Sequence, residues 1–432
     1  MGVLLLRTAR LDHTTPDAAF LGGISVFTES LRRTVQPRTT VQLSPTLTPP
    51  GDTSPVSQYS DVPKPAPVLP ERIRGDGAAS TATRSILSVA ETRQRLPLSN
   101  GGAKTIREGR DAFRRILHGE DRRTVVIVGP CSIHDPDAAL EYAARLKTLS
   151  AEVSDRVLLM MRVYLEKPRT SVGWKGLLSD PHLDASQALE DGLLISRRLL
   201  CSIADLGVPA ATEFLDPLIP AYLGELVSWV AIGARTTESQ THRQMASGLP
   251  APVGFKNATD GCVDVAINAI KSARESQVFL GVDESGHIGA VETRGNADTH
   301  VVLRGANTAT GWQTNYQRAA IADVETRLSA AGLPLRLMVD CSHANCGYDF
   351  HRQARVADDW IAQRRRGESA SAFGLMLESN LVEGKQAFTG RARLKPGVSI
   401  TDGCIGWSDT EAIIRRIHAF GTSEPHAPTK AR

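Results

Sequence analysis

Residues 124–150 read TVVIVGPCSIHDPDAALEYAARLKTLS. The first half is a short, β-branched apolar run closed by Gly-Pro, the signature of a strand buried on both faces. The second half spaces its apolar residues as an amphipathic helix does. Cys131 stands at the junction. The same alternation continues along the chain. Strands are expected at 124–130, 156–165, 210–214, 229–236, 252–257, 300–306, 336–343 and 373–380, with helical segments between them and a last helix after 409. Eight such units predict an α/β fold of the (β/α)8 TIM-barrel type. An open doubly wound sheet is the alternative, but the Gly-rich first turn common in that fold is missing. Residues 277–293 read as a hairpin inserted before the sixth strand.

Upstream, 103–119 and 81–96 read as amphipathic helices, and residues 1–70 are rich in Pro, Thr and Ser without periodicity. Such a composition buries too little apolar surface to offset chain entropy. The expected organisation is therefore a disordered tail (1–70), an N-terminal helical extension (71–120) and a catalytic barrel (121–425). The chain has 432 residues, 41% of them hydrophobic and 22% charged, with a net charge of +3. That balance suits a soluble protein with a sizeable core and gives no general attraction to nucleic acid or membrane. The opening apolar run is too short for a secretory signal, so the expected compartment is the cytoplasm. There the six cysteines (131, 201, 262, 341, 346 and 404) are thiols, ligands or catalysts rather than disulfides.

The polar residues at the C-terminal ends of the eight expected strands are Cys131, Arg162, Glu213, Arg235, Lys256, Arg304, His343 and Glu378. Barrel active sites lie at this face, and eight reactive side chains on one rim are hard to explain as solvated surface. They divide into two chemistries. Arg162, Lys167, Arg169, Arg235, Lys256 and Arg304 are cations suited to phosphate and carboxylate. Cys131, His343, Glu378 and Asp402 offer a thiol, an imidazole and two carboxylates, a donor set for a borderline divalent metal such as Mn, Fe, Co or Zn. Taken singly the residues say less. A lone strand-end Arg is as often a structural ion pair, and a lone Cys131 is more often a buried thiol. Cys341-x-His343-x-x-Cys346 looks like a zinc knuckle but lacks a second ligand pair.

Seven stretches carry a resemblance: GPCSIHDP (129–136), MRVYLEKPRTSVGWKGLLSDP (161–181), AIGARTTESQTHRQMASGLPAPVGFKNATDG (231–261), VLRGANT (302–308), VDCSHAN (339–345), LMLESNLVEGKQ (375–386) and SITDGCIGW (399–407). From about residue 95 to 420 the chain resembles the type I 3-deoxy-D-arabino-heptulosonate 7-phosphate (DAHP) synthases. The resemblance implies a metal-dependent transferase of the shikimate pathway to aromatic amino acids. Such an enzyme condenses phosphoenolpyruvate with D-erythrose 4-phosphate and water to give DAHP and phosphate. It implies Cys131, His343, Glu378 and Asp402 as ligands of a divalent metal ion. It implies Arg162, Arg235, Lys256 and Arg304 as the phosphoenolpyruvate clamp, and Lys167, Arg169 and Thr170 as the site for the aldose phosphate. Lys167 is also the expected proton donor, with Cys131 and His343 beside it at the reacting centre and Asp402 next to the substrates. A homo-oligomer, dimer or tetramer, is implied, as is feedback inhibition by an aromatic amino acid. The candidate effector positions are Pro220, Ala221, Leu249 and Pro250.

A charge count fits this reading. The two substrates carry about −5 between them at neutral pH, and the six cations with the metal and its anionic ligands sum to about +5. The count leads to the expectation that the cations tolerate one another only when substrates are bound. Two rivals remain: a synthase acting on a different sugar phosphate, such as the eight-carbon 3-deoxy-octulosonate synthases, and a metal-bound scaffold without turnover.

Overall fold

The computed structural model describes residues 84–169, 173–388 and 390–421. The expected tail (1–70) and Thr170 lie outside the described residues. Two helices come first, α1 (Val89–Arg95) and α2 (Asn100–His118). The expected helix over 81–96 is shorter than its pattern, because Ser88 starts it: the Ser88 side chain caps the Glu91 N–H and the Glu91 side chain returns to the Ser88 N–H, a capping box.

The strands are β1 (Thr124–Gly129), β2 (Val157–Arg162), β3 (Ala210–Glu213), β4 (Trp229–Ile232), β5 (Val253–Lys256), β6 (Gln277–Val282), β7 (Ile288–Thr293), β8 (Thr299–Leu303), β9 (Ala306–Thr308), β10 (Gly311–Gln313), β11 (Leu337–Asp340) and β12 (Ala372–Glu378). The helices are α3 (Pro136–Val153), α4 (Leu189–Asp205), α5 (Ile219–Leu223), α6 (Gln240–Ser247), α7 (Asp264–Arg274), α8 (Arg318–Ala330), α9 (Gln353–Arg365) and α10 (Trp407–Gly421). Strands β1, β2, β3, β4, β5, β8, β11 and β12 form a closed barrel, paired in parallel throughout, and β12 returns to β1 with Gly129 opposite Glu378. The eight expected barrel strands are all present, each shorter than its apolar run. The expected hairpin is β6–β7. A second small hairpin, β9–β10, went unread because its strands are only three residues long.

Strand alternation sorts the core into two layers. Val125 and Ile127 of β1 face the barrel interior with Met160, Trp229, Val302, Met338 and Met376, whereas Val126 and Val128 join the layer between sheet and helices. Gly254 is required for the inner packing: a Cβ there would sit 2.4 Å from the Trp229 ring. Helix α2 closes one end. Its buried Phe113 stacks among Trp229, His300 and Phe373 at centroid distances of 6.3, 5.6 and 5.7 Å. These partners stand at or next to the first residues of β4, β8 and β12. The N-terminal mouth is thus plugged with aromatic rings, and chemistry is left to the opposite mouth.

Candidate functional site

At the C-terminal mouth a cavity of about 140 Å³ is lined by Arg162, Lys167, Arg169, Glu213, Arg235, Lys256, Arg304, His343 and Asp402, among others. They reach it from the ends of the barrel strands and from the loops that follow them. Cys131 follows β1 by two residues, and Glu378 ends the neighbouring β12. Asp402 comes from the segment after β12, which folds back on the strand end: Ile405 N–H donates to Glu378 O at 3.1 Å and Cys404 exchanges bonds with Gly384. The donor atoms of Cys131, Glu378 and Asp402 all lie within 4.8 Å of one another. His343 stands beside them rather than within that group, its Nε2 3.8 Å from Glu378 Oε1. It sits in a left-handed backbone conformation (φ 58°) just past β11. Cys341 packs in the outer core and Cys346 donates to the His343 carbonyl, an arrangement that gives the zinc-knuckle pattern no ligand cluster.

The cations do not face one another bare. Arg162 is buried, and its Nη2 lies 2.9 Å from Glu378 Oε1; it also donates to the Pro130 and Cys131 carbonyls and stacks on Tyr164, 3.4 Å from the ring centroid. Lys167 Nζ lies 2.8 Å from Cys131 Sγ and 2.9 Å from Asp402 Oδ2. Lys256 Nζ lies 2.8 Å from Asp340 Oδ2. Three of the six expected cations are thus paired inside the protein. This corrects the expectation that they tolerate one another only with substrates present, and the charge count behind it omitted Asp340. The other three differ. Arg169 is exposed and donates to Trp174 O at 2.9 Å. Arg235 is exposed at the cavity rim. Arg304 is buried, touches the Tyr348 hydroxyl at 3.4 Å, and has its Nη1 buried without a hydrogen-bond partner.

Electrostatics follow from these pairs. Burial, with Glu378 nearby, pushes the Cys131 thiol up to about 11, against the opposing pull of Lys167. Burial alone would lower Lys167, but Cys131, Glu378 and Asp402 reverse this and hold it charged. Burial alone would raise Asp402, but Lys167 holds its carboxyl well below the usual range. A thiol, two carboxylates and a nearby imidazole, already facing an ammonium group, form a donor set that fits a borderline divalent cation.

Pro220 and Ala221 lie in α5, and Leu249 and Pro250 lie in the turn leading from α6 to β5. The carbonyls of Ala221 and Pro250 accept from Arg93 of α1 and Arg114 of α2, at 3.4 and 2.9 Å. Sequence reasoning missed Asp340. It drew the seventh strand to residue 343 and took His343 as its end, whereas β11 ends at Asp340. A charged residue in that last position was the available signal.

A barrel plugged at one mouth, with a soft and hard donor set beside guanidinium and ammonium groups at the other, defines an enzyme class: barrel enzymes whose pocket suits small, multiply anionic substrates. The chain belongs to the DAHP synthetase I family, whose model matches residues 93–415. It is 50% identical over 339 residues to the Tyr-sensitive phospho-2-dehydro-3-deoxyheptonate aldolase of Escherichia coli (strain K12), covering 78% of this chain and 94% of the relative. The Trp-sensitive enzyme of the same strain is 46% identical over 344 residues, 80% of this chain and 97% of the relative. The phospho-2-dehydro-3-deoxyheptonate aldolase structure from Francisella tularensis SCHU S4 superposes with a TM-score of 0.76 at 41% identity, covering 79% of this chain and 98% of that one.

Proposed function

We propose a division of labour for the phospho-2-dehydro-3-deoxyheptonate aldolase reaction that this family membership assigns to the chain. Phosphoenolpyruvate and erythrose 4-phosphate are joined, water is consumed and phosphate leaves. The observation that carries the proposal is the cluster of Cys131, Glu378 and Asp402 donors set against the cationic wall of one cavity.

Cys131, Glu378, Asp402 and His343 would hold a divalent metal ion, which supplies Lewis-acid polarisation of the aldehyde when bound. Arg235, Lys256 and Arg304 take the carboxylate and phosphate of phosphoenolpyruvate, with the unpartnered Arg304 Nη1 as a ready donor. Arg162, already committed to Glu378 and two carbonyls, lines the same pocket as fixed positive charge. Arg169 and Thr170 receive the aldose phosphate. Held in this way, C3 of phosphoenolpyruvate lies against the aldehyde carbon, and proximity supplies much of the rate. Lys167, kept protonated by its neighbours, hands a proton to the oxygen that becomes an alkoxide. Water then adds at C2, and phosphate departs with cleavage of its C–O bond. No step needs a nucleophilic cysteine.

Regulation belongs to the same proposal. An aromatic amino acid binds at Pro220, Ala221, Leu249 and Pro250, and the chain forms a homo-oligomer, which sedimentation measures directly. The decisive assay is phosphate release with both substrates and Mn(II), repeated with chelator and with each aromatic amino acid. Release that survives complete chelation sinks the metal assignment. Arabinose 5-phosphate outperforming erythrose 4-phosphate sinks the substrate assignment.

A further inference from the structure

Asp340 has no part in that division of labour, yet it is fully buried, accepts three hydrogen bonds and pairs with His343. Its Oδ2 accepts from Lys256 Nζ at 2.8 Å and lies 2.9 Å from His343 Nδ1 in an ion-pair contact. Its Oδ1 accepts from Ser342 N at 3.0 Å and Ser342 Oγ at 2.6 Å. With its hydroxyl proton given to Asp340, Ser342 Oγ offers only a lone pair to His343 Nδ1, 2.7 Å away. Both neighbours of Nδ1 are therefore acceptors, so Nδ1 carries the ring proton. The Nε2 lone pair is left facing Glu378 and the ligand cluster. A carboxylate that fixes the tautomer and aim of a metal-binding imidazole is a recurrent device. Here the same oxygen also holds a lysine of the substrate cavity.

We propose that Asp340 is a positioning residue shared by the two halves of the site, aligning His343 for the metal ion and Lys256 for phosphoenolpyruvate through one carboxylate oxygen. The proposal rests on the roles given above to His343 and Lys256. It has a thermodynamic consequence. A cation at Nε2 would draw density from the ring and strengthen the attraction of Nδ1–H to Oδ2. The oxygen then holds Lys256 less tightly, and the ammonium is freer to meet the substrate anion. Metal and phosphoenolpyruvate must each raise the affinity of the other by the same factor.

The test uses the metal-stripped full-length chain, with Mn(II) affinity read by the electron paramagnetic resonance signal of free Mn(II) and phosphoenolpyruvate affinity by calorimetry. In the native protein Mn(II) is expected to tighten phosphoenolpyruvate binding about fivefold or more. In Asp340→Asn an amide nitrogen or a neutral oxygen faces two donors. Mn(II) affinity is expected to fall about 10- to 100-fold, metal-free phosphoenolpyruvate affinity to fall severalfold, and the mutual enhancement to shrink toward one. Ser342→Ala removes a donor to Oδ1 and the hydroxyl oxygen facing His343 Nδ1, but leaves the Lys256 contact with Oδ2 in place. It is expected to weaken Mn(II) severalfold while leaving metal-free phosphoenolpyruvate affinity unchanged, and it serves if Asp340→Asn does not fold. Native-like affinities and enhancement in a folded Asp340→Asn overturn the proposal, as does native Mn(II) affinity in Ser342→Ala. If the native chain binds both ligands and turns over, such a result leaves the proposed function standing. If the native chain binds neither, the proposed function fails first and this inference with it.

Discussion

Replacing Glu378 by Leu, Arg162 by Met, and then both residues together separates stability from activity at the barrel mouth. Both partners of this ion pair are buried, at 2% side-chain exposure each, 2.9 Å apart. Removing one partner of such a pair costs about 3–5 kcal/mol, because the other is left charged and dry. Glu378→Leu should show a loss of that size. Arg162→Met should be worse, since it also strands the Pro130 and Cys131 carbonyls that the guanidinium satisfies at 3.1 and 3.2 Å, at about 1–3 kcal/mol each. In the double variant the uncompensated charge is gone and only the stranded carbonyls remain. It should therefore be more stable than Arg162→Met alone by about 3–5 kcal/mol, so the two single losses are far from additive. Urea unfolding midpoints at fixed protein concentration measure this, and phosphate release is followed on the same samples. The double variant should recover stability and no turnover, because the carboxylate proposed to hold the metal ion is still missing. Additivity of the two single changes within about 0.5 kcal/mol, or turnover returning with stability, refutes the reasoning.

Arg235 is exposed, so Arg235→Ala should shift stability by less than about 0.5 kcal/mol while raising the KM for phosphoenolpyruvate at least tenfold; an unchanged KM removes it from the clamp. Cys131→Ala should abolish Mn(II)-dependent turnover and lower Mn(II) affinity, both read after dialysis against chelator; full turnover in that variant contradicts the ligand role. Gly305 has φ 76°, and a Cβ there would lie 2.7 Å from Gln313 O, so Gly305→Ala should cost about 1–3 kcal/mol and raise the same KM by displacing Arg304; a native melting temperature argues against the strain. Burial raises the Glu166 carboxyl from 4.5 to about 7, against the pull of the Leu215 and Asp216 N–H groups. Because the fold favours its protonated form, its contribution is complete below about pH 4.5 and is lost as pH rises through 7, up to about 3 kcal/mol in all. Unfolding midpoints from pH 5 to 8 should therefore decline in the native chain relative to Glu166→Gln, and a relative rise would show that the carboxylate is stabilised instead.

The barrel was legible because its strands are buried on both faces and so stand out as apolar runs, as TVVIVG does. Their ends were less legible. An apolar run does not mark where ladder bonding stops, and so RLMVDCSH was read as one strand although β11 stops at Asp340. That single boundary hid the residue that joins His343 to Lys256. Strand-end chemistry correctly pointed to a rim of reactive groups, since Arg162, Glu213, Lys256, Arg304 and His343 do line one cavity. Pairing among them was not legible. Which carboxylate meets which cation depends on side-chain reach across strands far apart in sequence, as between Arg162 and Glu378. The β9–β10 hairpin and the pinning of Asp402 by backbone bonds to Glu378 and Gly384 are likewise contacts without a periodic signature.

The cluster of Cys131, Glu378 and Asp402 straddles the seam where β12 returns to β1, and a metal ion bound there, as proposed, would be tied to the order in which the barrel is completed. Cys131 and Asp402 are separated by 271 positions, so the donors meet only after nearly the whole barrel has been synthesised and its last strand has docked on its first. An ion held there would act as a clasp on barrel closure, because it would bind the closed ring and not the open one. Metal scarcity should then surface twice, as lost turnover and as a shorter-lived protein whose first and last strands part sooner. A chain truncated before Asp402 should fail as a fold as well as a catalyst.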